Sequence, residues 1–234
     1  MKRRRGLTRM LAFAAAFCVL ATVALHAYFA AMIWWWRDHP PRETAFMAER
    51  MSMLHEKDPR ARLRYRFVPY ARIATPLKRA MIAAEDAKFV DHEGFDWDGI
   101  ALALEKNEKR GRIVAGGSTI TQQLAKNLFL SGSRTWLRKG EEAVITVMLE
   151  AMLDKERIFE LYLNVIEWGS GIFGAEAAAQ HYFDVPAARL SPEQSARLAA
   201  MAPNPRFYEH HQSAPGLNRK IRIILARMPA ADLP

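Results

Sequence analysis

The chain has 234 residues and a single cysteine, Cys18. No intrachain disulfide can form, so cysteine usage leaves the compartment open. Internal repeats and low-complexity tracts are absent. Stretches alternating with period two are scarce, so the soluble part reads as predominantly α. No cluster of side chains has metal-ligand spacing. The net charge is +9, yet no nucleic-acid-binding motif accompanies it. Much of that charge sits at the extreme N-terminus, so the total overstates how basic the folded domain is.

What is present begins with Lys2, Arg3, Arg4, Arg5 and Arg9, followed by an apolar run to about residue 36. The run exceeds the ~20 residues needed to span a bilayer. Trp34, Trp35 and Trp36 close it, as expected where indoles settle at a membrane interface. We read residues 1–10 as a basic cytoplasmic N-terminus and 11–36 as a transmembrane helix. A cleaved signal peptide fits less well, because the run is too long and no small-x-small site precedes the tryptophans. His26, inside the run, reads as a neutral packed side chain. Residues 37–66 form a juxtamembrane segment, basic and proline-containing, with a first helix predicted around 44–54. Its arginines fit either anionic headgroups or plain solvation.

Residues 84–96 read AEDAKFVDHEGFD. A short helix precedes them: Thr75 is a cap candidate, Pro76 suits a first helical position, and Leu77, Ala80, Met81 and Ala84 recur at helical spacing. Glu85 and Asp86 arrive where the apolar face runs out. A carboxylate at such a margin has its pKa raised by desolvation, which suits general-base work. The plainer alternative is two solvated acids.

A helix over about 97–109 leads into Lys106, Lys109, Arg110 and Arg112, then Gly116, Gly117 and Ser118. Ser118 is a natural N-cap for the next helix. Ile120, Leu124 and Leu128 share one face of it, and Thr119, Gln122, Gln123 and Lys126 lie roughly opposite. A helix start behind two glycines favours anions, so this polar face reads as a diphosphate platform or as an ordinary solvated face. Arg134 follows in a Ser- and Gly-rich loop. The next helix, about 135–153, carries Arg138, Lys139, Glu141 and Glu142. Arg138 and Glu142 stand four apart, so a surface pair worth a few tenths of a kcal/mol competes with a role for Glu142 in a cleft. The helix is expected to continue through residues 155–164, with Lys155 and Arg157 as candidates to face the site. Ser191 to Gln194 form a capping box with proline inside, and a closing helix is expected over about 215–227.

Five ordered blocks together resemble the peptidoglycan glycosyltransferase family. They are EDAKFVDHEGFD (85–96), GGSTITQQLAKNLFL (116–130), RKGEE (138–142), KERIFELYLNVIEWGSGIFGAEAAAQHYF (155–183) and SARLAAMAPNP (195–205). The second is highly specific, and the resemblance runs from about residue 67 to 208. Departures fall only at Ala115 and Phe159. The chain has no S-x-x-K or K-T-G motif, so it resembles the monofunctional, membrane-anchored type rather than members with a transpeptidase domain.

The resemblance implies a mainly α, lysozyme-like, two-lobed domain over residues 67–228. It implies polymerisation of lipid II into β-1,4-linked glycan with release of undecaprenyl diphosphate, on the outer face of the cytoplasmic (inner) membrane. Glu85 would be the general base and Glu142 the second catalytic carboxylate. Ser118, Thr119, Gln122, Gln123, Lys126, Arg134, Arg138, Lys155 and Arg157 would bind substrate. No cofactor is obligatory, although Mg²⁺ or Mn²⁺ could share the diphosphate charge. Expected partners are lipid II, the growing glycan chain, the membrane and other wall-synthesis or division proteins, with no nucleic acid. Two rivals compete with this reading: a lytic transglycosylase or muramidase of similar fold, and a non-catalytic membrane-tethered scaffold.

Overall fold

Apolar periodicity, capping side chains and first-turn prolines set many of the helix boundaries. The computed structural model describes residues 2–112, 116–130, 132 and 135–234, with side chains from residue 9 onward. It divides into two units, Met1–His39 and Pro40–Pro234.

The first unit is one helix, α1 (Lys2–Trp36), whose apolar stretch is Arg9–Trp36. At 1.5 Å per residue its 28 residues reach about 42 Å, more than a ~30 Å hydrocarbon core. Two of its described polar side chains bond to its own backbone. Thr22 donates to the Cys18 carbonyl at 2.9 Å, and His26 Nδ1 donates to the Thr22 carbonyl at 2.8 Å. That satisfaction within the segment is what a bilayer demands.

The second unit is mainly helical. Thr44 caps α2 (Ala45–His55) by accepting from the Met47 N–H. Helix α3 (Thr75–Glu85) carries its proline in the first turn, but Ala74 rather than Thr75 is its N-cap. A tertiary bond from Ala74 N–H to the Ala187 carbonyl (3.0 Å) fixes the entry instead. Leu77, Ala80 and Met81 are buried as predicted, whereas Ala84 is exposed and lines a cleft. Helix α4 (Trp97–Arg110) starts from an Asp96 cap and stops at left-handed Gly111.

Helix α5 (Ile120–Phe129) buries Ile120, Leu124 and Leu128. Its cap is Thr119, not Ser118, because Gln122 stands three residues after Thr119 and closes a capping box with it. Helices α6 (Trp136–Met152) and α7 (Lys155–Val165) are separate. Leu153 is extended, and the Asp154 side chain restarts the chain as an N-cap by accepting from Arg157 N–H at 2.7 Å.

A small sheet follows, with β1 (Arg64–Tyr65) parallel to β3 (Ile172–Phe173) and β2 (Glu167–Gly169) antiparallel on the other edge. Gly174 leaves it at φ +82°, where a Cβ would sit 2.4 Å from the Asn164 carbonyl oxygen, so only glycine fits. The chain closes with α8 (Ala175–Phe183), α9 (Pro192–Met201), α10 (Pro205–His210) and α11 (Pro215–Arg227). Helix α3 packs on α9 and α11, and α5 packs on α6 and α7. Where the end of α3 meets α5, the two packing groups come together.

Candidate active site

Asp86 makes that junction. It leaves the helical conformation directly after α3, and its buried carboxylate accepts the Ile120 N–H at 3.0 Å, in the first turn of α5. Unpaired N–H groups and the helix dipole both favour an anion there. His92 Nε2 donates to the same carboxylate at 2.9 and 3.1 Å. Thr119 Oγ1 donates to the Gly94 carbonyl at 2.7 Å, so the loop after α3 is tied to the start of α5 twice.

With that junction fixed, Glu85 meets Gln123. Gln123 Nε2 donates to Glu85 Oε2 at 2.7 Å, and its Oε1 accepts from the buried Tyr162 hydroxyl at 3.1 Å. The tyrosine therefore sets which end of the amide faces the acid. Glu85 is crowded by protein but remains partly open to solvent. Burial pushes its carboxyl above the usual range. The Gln123 hydrogen bond and the charges of Lys220 and Lys126 pull it down, and Asp86 pushes it up. The net result is a raised pKa, the condition for a base working near neutral pH.

Two cavities flank this contact. One, of about 340 Å³, is lined by Glu85, Asp86, Lys106, Gly116, Gly117, Ser118 and Arg227 among others. The other, of about 350 Å³, opens past Gln123 and is lined by the cations Arg50, Lys126, Arg138 and Arg206 and by the carboxylate Glu167. Lys126 takes no ion pair among the described residues, and its Nζ lies 5.5 Å from the Phe46 ring centroid. Burial lowers its pKa, as do Arg138 and Arg50, while Glu142 and Glu167 oppose them.

Glu142 stands behind this second cavity, 3 % exposed. Arg138 Nη1 bonds it at 2.7 Å, and Lys139 Nζ bonds its other oxygen. Lys139 also donates to Ser118 Oγ at 3.3 Å, linking the glycine turn to α6. Glu142 is thus a spent carboxylate that aims two cations, not a free acid.

The predicted site residues divide accordingly. Glu85, Gln123, Lys126 and Arg138 line the paired cavities, Ser118 lines the first, and Glu142 supports them. Thr119 also lines the first cavity, although its hydroxyl is engaged in the capping box and with the Gly94 carbonyl, and Gln122 is buried in that box and lines neither cavity. Lys155 and Arg157 line neither cavity. Lys155 binds the His92 carbonyl (2.5 Å) and Glu150 (2.9 Å), supporting the loop after α3, and Arg157 pairs with Glu160 and lies over Phe67. Arg134 lies outside the described residues. Sequence reasoning missed Asp86, His92, Lys139 and Tyr162 as site-builders, although all four stand inside blocks already singled out. It also passed over Glu167, inside the fourth block, and Arg206, directly after the fifth, and it had no signal for Arg50.

Among the described residues, no group of three or more His, Cys, Asp or Glu comes together as a metal site.

A profile of the Transglycosylase family matches residues 51–229. Similar proteins include a biosynthetic peptidoglycan transglycosylase of Dechloromonas aromatica (strain RCB), 64% identical over 203 residues, covering 87% of each chain. One from Chromobacterium violaceum is 64% identical over 200 residues, 86% of this chain and 88% of that one. Another, from Azoarcus sp. (strain BH72), is 57% identical over 230 residues, 98% of this chain and 97% of the relative.

Proposed function

The chain belongs to the transglycosylase family, and on that premise we propose how it works: it is a peptidoglycan glycosyltransferase of cell-wall synthesis that polymerises lipid II. One observation carries the assignment of parts. The Glu85 carboxyl, held by Gln123 at 2.7 Å, sits between a cavity open to a sugar hydroxyl and a cavity lined by cations.

The acceptor, lipid II, places the 4-hydroxyl of its N-acetylglucosamine beside Glu85. Glu85 takes the proton as that oxygen attacks C1 of the donor N-acetylmuramic acid. The C1–oxygen bond to the diphosphate breaks, its electron pair leaves with undecaprenyl diphosphate, and the anomeric centre inverts to a β-1,4 link. Negative charge grows on the leaving group, and Lys126 and Arg138 are preorganised for it because Glu142 has already set the arginine. A divalent cation, if bound, would share the diphosphate charge with these cations.

The anchor fits this substrate. Helix α1 fits a membrane anchor, and the basic residues ahead of it support a cytoplasmic N-terminus with the catalytic unit on the outer face. Helix α4 exposes Trp97, Leu102 and Leu104, and α6 exposes Trp136 and Leu137. Apolar side chains presented to water on this scale suit a unit lying against lipid, where a polyprenyl substrate resides. A glycan-cleaving enzyme of similar fold has no need of a four-cation cavity, and a pure scaffold has no need of a raised carboxyl pKa.

The test uses full-length protein in liposomes with labelled lipid II. Wild type is expected to form polymer that muramidase digests, and Glu85→Gln to form none. Absence of polymer from wild type with Mg²⁺ or Mn²⁺ present would sink the catalytic reading.

A further inference from the structure

Arg50 stands one residue before the region matched by the family profile, on α2, yet it lines the cation cavity. Its guanidinium lies 4.5 Å from the Phe46 ring centroid, and Lys126 Nζ lies 5.5 Å from the same ring. One aromatic ring therefore gathers two cations into a partly buried space. Like charges in such a space repel more strongly than in water, and the arrangement persists only with an anion to balance them.

The protein supplies too few. Among the described residues lining the cavity, four are cations and one, Glu167, is a carboxylate. Glu142 reaches Arg138 from outside and is also engaged by Lys139. Glu167 is itself shared: its Oε2 lies 3.2 Å from Arg50 Nε and its Oε1 4.0 Å from Arg206 Nε. Arg50 Nε and Arg138 Nε are both buried without a hydrogen bond of good geometry. Both belong to side chains that line the cavity.

Glu167 and Arg50 are attached differently. Glu167 belongs to β2, whose strand is fixed by pairing to β3, and its side chain is almost wholly buried. Arg50 projects from a helix on a long side chain and can turn its planar fork from one oxyanion to another.

We propose that Arg50 and Arg206 are substrate-binding residues that clamp the donor's diphosphate opposite Lys126, with Glu167 as the resident counter-ion that holds them in place until the diphosphate arrives. The identity of the anion rests on the function proposed above; the clamp itself rests on the cavity. In this arrangement Glu167 competes with the ligand for the two arginines. Removing its charge strengthens anion binding, the reverse of what loss of a structural ion pair does.

The probe is inorganic pyrophosphate, titrated calorimetrically into full-length protein in detergent, with thermal melts as the folding control. Arg50→Ala is expected to weaken pyrophosphate binding by about tenfold, the scale of one charge-assisted hydrogen-bonded contact. Arg50→Lys, which keeps the charge and loses the fork, should fall between. Glu167→Gln should tighten binding several-fold over wild type. Unchanged affinity in folded Arg50→Ala overturns the clamp. Should that variant not fold, Arg50→Lys and Glu167→Gln decide, and weakened or unchanged binding in Glu167→Gln overturns the counter-ion role. Calorimetry needs no turnover, so failure of the clamp is read separately from failure of lipid II polymerisation in wild type.

Discussion

Glu85 and Glu142 lie in adjoining regions of one domain, and their surroundings differ in kind. Glu85 ends a helix packed by alanines and aliphatic side chains, and it has one neutral hydrogen-bond donor, Gln123. Glu142 lies in the middle of α6, more deeply buried, with Arg138 and Lys139 on its two oxygens. The first carboxyl is left reactive, with its pKa raised. The second is neutralised by its partners and serves as an anchor for cations. Burial alone therefore does not mark the base; Glu85 is set apart because it lines a cavity with no cation bonded to its oxygens.

The largest test of that contrast is Glu85→Gln. Loss of a positioned base should lower turnover by roughly a thousandfold. The same change should make the fold more stable at pH 7. The folded carboxyl has a raised pKa, so keeping it ionised costs stability. That cost is absent below the unfolded pKa, grows as pH rises through the folded one, and is full above it. Melting temperature should therefore rise at neutral pH, and the gain should vanish in acid. A variant less stable at pH 7 would show that Glu85 is compensated after all.

Glu142→Ala should do the opposite. It strands Arg138 and Lys139, one of them largely buried, and should cost about 3 kcal/mol in urea denaturation. Glu142→Gln should cost less, because one amide oxygen still accepts from Arg138. Equal loss from both variants would mean that packing, not charge, is what Glu142 contributes.

Much of this contrast was legible in the residues. Glu85 stands where an apolar helical face stops, which is a local pattern. Glu142 stands four residues after Arg138 and three after Lys139, so its partners were predictable from helical geometry. Less legible was anything decided by a single step of the chain. Ser118 and Thr119 are both competent caps, and only the position of Gln122 selects the second. That choice commits the Thr119 hydroxyl and the Gln122 amide to the cap, although Thr119 still lines the first cavity. Lys155 and Arg157 were placed by assuming an unbroken helix, whereas Asp154 restarts it and their charges go to Glu150 and Glu160. Arg50 was invisible for another reason: its ion-pair partner Glu167 and its cavity neighbour Lys126 are remote in sequence, and no periodicity connects them. Arg157→Ala is accordingly expected to cost about 1 kcal/mol of stability and to leave the Michaelis constant for lipid II unchanged.

The finer tests concern the acid limb of the pH–rate profile, which reports ionisation of the base. Gln123→Leu removes the hydrogen bond that favours the ionised Glu85, so the limb should move to higher pH, with rate near neutrality falling about tenfold. Lys220 acts on the same carboxyl from α11. The two share a small cavity between α3, α9 and α11, without a hydrogen bond between them. Lys220→Ala should shift the limb in the same direction by less, since a charge in contact with solvent is screened where a direct hydrogen bond is not. Added salt should mimic Lys220→Ala in the wild type and leave the Gln123→Leu displacement in place. A limb that moves to lower pH in either variant would mean that the titrating group is not Glu85.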